Sequence, residues 1–251
     1  MTVGAKSDVG KSRGNNEDNF YVSNDMKVPL YIVADGMGGH NAGEVASNMA
    51  IEIIKNKFMN PKDDLLDKDK VIKSIKQSIE EANTKIYLKS IENKELKGMG
   101  TTITLAYILE NHIYLGHIGD SRAYLISHDN IQQITEDHSF VNELVKSGTI
   151  TKEEAKNHPK KNMITRAVGS SSIIEMDLMV KEYNENDILI LCSDGLTNMV
   201  SDIEIMEILK DENDLQNACG RLVELANEKG GLDNITVVAI KLYKMRWKDD
   251  R

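Results

Sequence analysis

The stretch Tyr31-Ile32-Val33-Ala34-Asp35-Gly36-Met37-Gly38-Gly39-His40 carries buried-type strand residues straight into a carboxylate and a glycine. Aromatic and β-branched residues favour a pleated, half-buried backbone, and glycine lets the chain turn where the strand stops. The pattern recurs in Leu189-Ile190-Leu191-Cys192-Ser193 ahead of Asp194-Gly195, and in Tyr114 to Gly119 ahead of Asp120; Asp233-Asn234 stands immediately before the apolar run Ile235 to Ile240. A hairpin turn would explain any single Asp-Gly step. Its repetition at strand ends, beside apolar neighbours such as Met37 and Leu196, weakens that explanation. Four such aspartates, if gathered in one cleft, would repel one another unless cations neutralise them. Oxygen ligands without a His or Cys cluster favour Mg²⁺ or Mn²⁺ over Zn²⁺.

Outward from these positions, short apolar runs predict strands at 19–23, 30–34, 101–109, 112–117, 123–127, 131–135, 174–181, 188–192 and 234–242. Helical spacing is carried by Val45, Met49 and Ile53, by Ile72, Ile75, Ile79, Ala82 and Ile86, and by Leu215, Ala218, Leu222 and Leu225. These helices do not alternate one for one with strands, which argues against a doubly wound parallel sheet and for antiparallel sheets covered by helices. Residues 136–169 interrupt the strand series. There Phe140, Val141, Leu144 and Val145 end at Ser147-Gly148, and Thr151 and Glu154 have capping-box spacing. The segment is expected to be a compact excursion, a flap over a site. No repeat, low-complexity tract or linker divides the chain, so 1–251 is expected to form a single domain.

Among 251 residues, 31 Lys and Arg stand against 40 Asp and Glu, a formal charge of −9. Such a surface disfavours nucleic acid and anionic membrane as partners. The first ten residues lack a leader pattern and no apolar run reaches membrane-spanning length, so a cytoplasmic protein without stable membrane insertion is expected. Cys192 and Cys219 lack metal-site pairing, in keeping with a reducing compartment. The glycine-rich turn after Asp35 has Asn41 where a dinucleotide-binding loop requires glycine, and no Gly-Lys-Ser/Thr follows as in a P-loop. The basic end from Lys241 to Lys248, which includes the only tryptophan, Trp247, reads as a fraying strand end, with a docking or membrane-surface role as the alternative.

Near the N-terminus, Ser12-Arg13-Gly14-Asn15-Asn16-Glu17-Asp18-Asn19 places an arginine beside two carboxylates and ahead of a strand. Arg13 suits bidentate binding of a phosphate; the plain alternative is a solvated turn with an Arg13–Glu17 pair.

Taken in order, Arg13-Gly14-x-Asn16-Glu17-Asp18, Val33 to His40, Gly100-Thr101-Thr102, Gly119-Asp120-Ser121-Arg122, Ser193-Asp194-Gly195-Leu196 and Asp233-Asn234-x-Thr236 resemble the motif set of the metal-dependent PPM (type 2C) protein serine/threonine phosphatases. The resemblance covers essentially the whole chain and is greatest to compact bacterial members consisting of the catalytic domain alone. It implies an α+β fold, a central β-sandwich of two antiparallel sheets flanked by helices on both faces, with 136–169 as the flap. It implies hydrolysis of phosphoserine and phosphothreonine on proteins, in which a hydroxide activated between two cations attacks phosphorus directly, reversing serine/threonine kinase signalling. The implied cofactors are Mn²⁺ or Mg²⁺, two core ions and a weaker third. By the resemblance, Asp35 bridges the core ions, the Gly36 carbonyl joins one of them, and Asp194 and Asp233 complete the other. Asp120, helped by Asp194 and Asp18, matches the third position, Glu17 holds water at the centre, and Arg13 binds phosphoryl oxygens. Phosphorylated proteins and a cognate kinase are the implied partners, and a monomer is expected. Met37 stands where the family's animal branch has a histidine as candidate general acid, which leaves His40, with His138 at the flap entrance as a second candidate. The alternative function is a catalytically weak relative that kept the fold as a metal-dependent binding or sensing module.

Overall fold

The computed structural model describes residues 1–23, 28–39, 42–61 and 65–243. In chain order the strands are β1 (Thr2–Asp8), β2 (Asp18–Val22), β3 (Leu30–Met37), β4 (Gly100–Thr101), β5 (Ile103–Leu109), β6 (His112–Ile118), β7 (Arg122–Ser127), β8 (Asn130–Gln133), β9 (Asp177–Glu182), β10 (Ile188–Cys192) and β11 (Ile235–Lys241). The helices are α1 (Ala42–Met59), α2 (Lys68–Glu92), α3 (Phe140–Lys146), α4 (Lys152–Lys156), α5 (Asp194–Thr197), α6 (Asp202–Asp211) and α7 (Leu215–Glu228). Among the described residues the strands form two sheets, one in the order β1-β11-β10-β7-β8 and the other β2-β3-β5-β6-β9 with β4 beside β3. Every pairing is antiparallel.

Both faces of the central strands are covered, which is why they read as nearly continuous apolar runs. In β3, Tyr31 and Val33 point between the sheets and pack with Leu115, Leu189, Leu191 and Val238. Leu30, Ile32 and Ala34 point the other way, against α1 and α2. The opposite outer face is closed by α6 and α7, whose Ile205, Leu222 and Ala226 pack on Ile190, Val237 and Ala239. The result is the expected helix–sheet–sheet–helix sandwich.

The details differ in places. The fully buried face of α1 is Ala42, Ala46, Ala50, Ile54 and Phe58, whereas Val45, Met49 and Ile53 flank it half-buried. Small alanines bring the N-terminal half of the helix close to β3, while Val45, Met49 and Ile53 sit to the side. Strand β3 continues through Asp35 and Gly36 because Gly36 pairs with Thr101 of β4. The expected strand 101–109 is split at Thr102, whose N–H donates to the Asp35 carbonyl (2.8 Å) and whose hydroxyl accepts the Asp35 N–H (2.9 Å). Strand β1 and helix α6 had no counterpart in the sequence reading.

The excursion leaves after β8 and returns before β9, carrying α3 and α4. Its base is tied by two isolated bridges, Ser139 to Ile164 and Thr101 to Val168. The Thr151–Glu154 capping box forms in both directions. No helix among the described residues is long and apolar enough to cross a membrane. The basic run beyond Tyr243, Trp247 included, lies outside the described residues.

Candidate metal centre

Both sheets deliver carboxylates to one end of the sandwich. Asp35 on β3 lies directly across the strand pair from Asp18 on β2. Asp194 opens α5 just after β10, Asp233 stands two residues before β11, and Asp120 lies in the turn between β6 and β7. Backbones approach so closely here that only glycine fits at two points. A Cβ on Gly36 would strike the Gly43 carbonyl of α1 and the Glu17 carbonyl, and one on Gly195 would strike the Asn234 carbonyl. The Asp-Gly steps are therefore contacts between elements, not hairpin tips.

The electrostatics are those of crowded acids. Burial, then repulsion from Asp18 and Asp194, holds the Asp35 carboxyl well above its ordinary range. Burial likewise pushes Asp18 up to about 7, Asp120 up to about 8 and Asp194 up to about 6, with neighbouring aspartates adding to each. Glu17 is raised by burial and pulled back by Arg13. Three carboxylate oxygens, Glu17 Oε1, Asp18 Oδ1 and Asp194 Oδ1, are buried with no hydrogen-bond donor among the described residues. Buried acceptors are normally satisfied, so such a cluster calls for cations. Among the described residues no three His, Cys, Asp or Glu side chains close into a ligating cage. An open arrangement suits Mg²⁺-like ions, which keep several waters and take few carboxylates, and the donor set fits them.

Arg13 pairs with Asp233, its Nη2 2.7 Å from Oδ2, and not with Glu17 as the solvated-turn alternative supposed. The arginine is about half exposed. Asn234 fixes the N-terminal loop against the start of β11. Its Oδ1 accepts the Glu17 N–H (2.8 Å), and its Nδ2 donates to the carbonyls of Val9 (2.9 Å) and Asn15 (3.0 Å). Asn234 is visible in the sequence only as the neighbour of Asp233, and the signal of its role is an amide, which offers donor and acceptor together, next to a ligand-type aspartate.

The model of the family described as "Protein phosphatase 2C" matches residues 6–144. The chain is 42% identical over 242 residues to the serine/threonine phosphatase stp of Listeria innocua, covering 96% of each. The chain belongs to the protein phosphatase 2C family. The S. agalactiae serine/threonine phosphatase superposes with a TM-score of 0.91 at 40% identity, over 96% of this chain and 98% of that one. The catalytic domain of the serine/threonine protein phosphatase PstP, solved in complex with two manganese ions, superposes with a TM-score of 0.83 at 38% identity, over 96% and 97%. This family member is thus a serine/threonine protein phosphatase of bacterial type.

For a protein phosphatase 2C the remaining charged groups have defined places. Arg122, in the Gly-Asp-Ser-Arg motif, is committed to Asp137 through Nε at 2.9 Å and Nη2 at 2.7 Å and to the Tyr124 hydroxyl at 3.0 Å, so it braces the flap root. His138 is buried, its Nδ1 accepting the Gly119 N–H (3.1 Å) and its Nε2 facing Asp177 (3.2 Å). With Nδ1 accepting, Nε2 carries the proton toward Asp177, and both nitrogens are spent on structure. Arg166 Nη1 also lies 3.3 Å from Nε2, so His138 is held among fixed partners at the flap root. His40 lies outside the described residues.

Proposed function

We propose that this phosphatase uses Mn²⁺ or Mg²⁺, two core ions and a weaker third, to hydrolyse phosphoserine and phosphothreonine on protein substrates that a cognate kinase phosphorylates. The observation that carries this reading is the set of buried carboxylate oxygens left without donors where both sheets converge. The manganese-bound PstP relative supports it. Asp35, the Gly36 carbonyl, Asp194 and Asp233 would hold the core ions, with Asp120 and Asp18 serving the third. When bound, the ions supply Lewis-acid charge and lower the pKa of a water toward neutrality.

This chain's own residues then orient and neutralise. Glu17, with its backbone held by Asn234 and one carboxylate oxygen unpaired, would accept a hydrogen bond from water at the centre. Arg13 would turn from Asp233 to the phosphoryl oxygens, which leaves Asp233 free for a cation. That exchange is easy because an ion pair this exposed is worth only about 0–1 kcal/mol. Arg13 then stabilises negative charge on the equatorial oxygens. No thiol participates: Cys192 and Cys219 are buried, and burial pushes both thiols up to about 12. His40 is retained as the candidate proton donor. Residues 1–251 would act as one catalytic domain, as a monomer in the cytoplasm.

Release of phosphate from a phosphothreonine peptide, with and without Mn²⁺, tests the proposal. Activity should vanish reversibly with EDTA and irreversibly in Asp35→Asn, whose circular dichroism stays native. Turnover indifferent to chelation would overturn it.

A further inference from the structure

Two motif residues, Ser193 and Thr236, have no role in the chemistry above, yet they meet behind the metal centre. Ser193 occupies the N-cap position of α5, where a serine hydroxyl ordinarily accepts from the first turn of the helix, but here it makes no capping bond. Its hydroxyl is fully buried and accepts the Thr236 N–H at 2.9 Å. Its single proton goes to Asp18 Oδ2 at 2.7 Å; the Asn234 carbonyl, at 3.5 Å, is too long to compete. The acceptor lies in the other sheet. Ser193 follows β10 and Thr236 is on β11, whereas Asp18 is on β2. The Ser193 hydroxyl thus joins the sheets through a carboxylate of the centre, with the Thr236 side chain as a secondary partner of Asp18. Because Oδ2 is taken, the oxygen left without a donor is Oδ1.

We infer that Ser193 is a positioning residue, which gives up its helix cap to clamp Asp18 by one oxygen so that the other is presented to the divalent ions. The inference rests on the reading of Asp18 as part of the metal centre. It explains why serine precedes Asp194: the strand end that delivers one carboxylate also aims a second from across the sandwich.

The test is a double-mutant cycle on Mn²⁺ affinity, read by calorimetry on the full chain without substrate. Outer partners of metal ligands typically contribute about 10- to 100-fold in affinity. Ser193→Ala should weaken Mn²⁺ binding by that factor in the wild-type background and by less than about twofold when Asp18→Ala is already present, since no carboxylate remains to be aimed. Ser193→Cys keeps the shape but donates weakly, and should fall with Ser193→Ala, while Ser193→Thr should recover toward wild type. Should Ser193→Ala fail to fold, the Ser193→Cys cycle decides. Equal losses with and without Asp18, or no loss in either serine variant while Asp18→Ala binds poorly, would overturn the inference and leave Asp18 in the centre. Wild-type Mn²⁺ affinity in Asp18→Ala would instead overturn the placement of Asp18.

Discussion

The crowded aspartates make the metal-free protein sensitive to alkali in a way that ions should cure. A carboxyl whose folded-state pKa lies above its unfolded value contributes stability that is present while it holds its proton and is lost as pH rises through the folded value. Asp18, raised from 3.8 to about 7, and Asp120, raised from 3.8 to about 8, lose their protons at and above neutrality, and Asp35, also raised well above its ordinary range, can only add to the effect. Between about pH 6.5 and 9 the linkage relation gives a loss of about 1 kcal/mol for Asp18 and about 2 for Asp120, together ~3 kcal/mol. For a chain of this size that lowers Tm by roughly 6–12 °C. Scanning calorimetry in EDTA should show the fall, and saturating Mn²⁺, which binds the ionised carboxylates, should abolish it. Asp120→Asn should make the fall shallower. A metal-free Tm that is flat or rising across this range, or the same slope with Mn²⁺ bound, would refute the reasoning.

The acid side has a different origin. Burial lowers His117 to about 4, so its contribution is present above the unfolded value of 6.5 and is lost as pH falls toward 4; His117→Gln should flatten the Tm profile there, and an unchanged profile would clear His117. Arg13→Ala should lower kcat/KM on a phosphopeptide about 10- to 150-fold while Mn²⁺ affinity holds or rises, because Asp233 is released; an unchanged kcat/KM would return Arg13 to a surface role. Asn234→Ala strands one N–H and two carbonyls of the N-terminal loop, and should destabilise the protein by about 1–3 kcal/mol; a wild-type Tm would count against the tether.

Strand ends were legible because Ile188 to Cys192 and Leu30 to Ala34 are buried on both faces and read as unbroken apolar runs. Strand β1 was not, because Thr-Val-Gly-Ala-Lys-Ser-Asp covers a sheet edge where only Gly4 is fully buried, and little apolar character is required there. Helix α6 was missed although Ser201 and Glu204 form a complete capping box, the same signal that located α4. At the site, the acids announced themselves by their position at strand ends. Their partners did not: Ser193 reaches Asp18 across 175 positions and Asn234 reaches Glu17 across 217, and pairwise spacing carries no trace of such contacts.

The first and last strands of the described fold are neighbours, β1 lying along β11 from Thr2 opposite Lys241 to Asp8 opposite Ile235. During synthesis the N-terminal loop that carries Arg13 and Glu17 therefore waits for nearly the whole chain to emerge before Asp233 and Asn234 arrive to tie it to the start of β11. Such long-range closure makes for slow folding. It also delays completion of the site: until Asp233 and Asn234 have emerged, the loop from Arg13 to Glu17 lacks the Arg13–Asp233 pair and the Asn234 hydrogen bonds that tie it there.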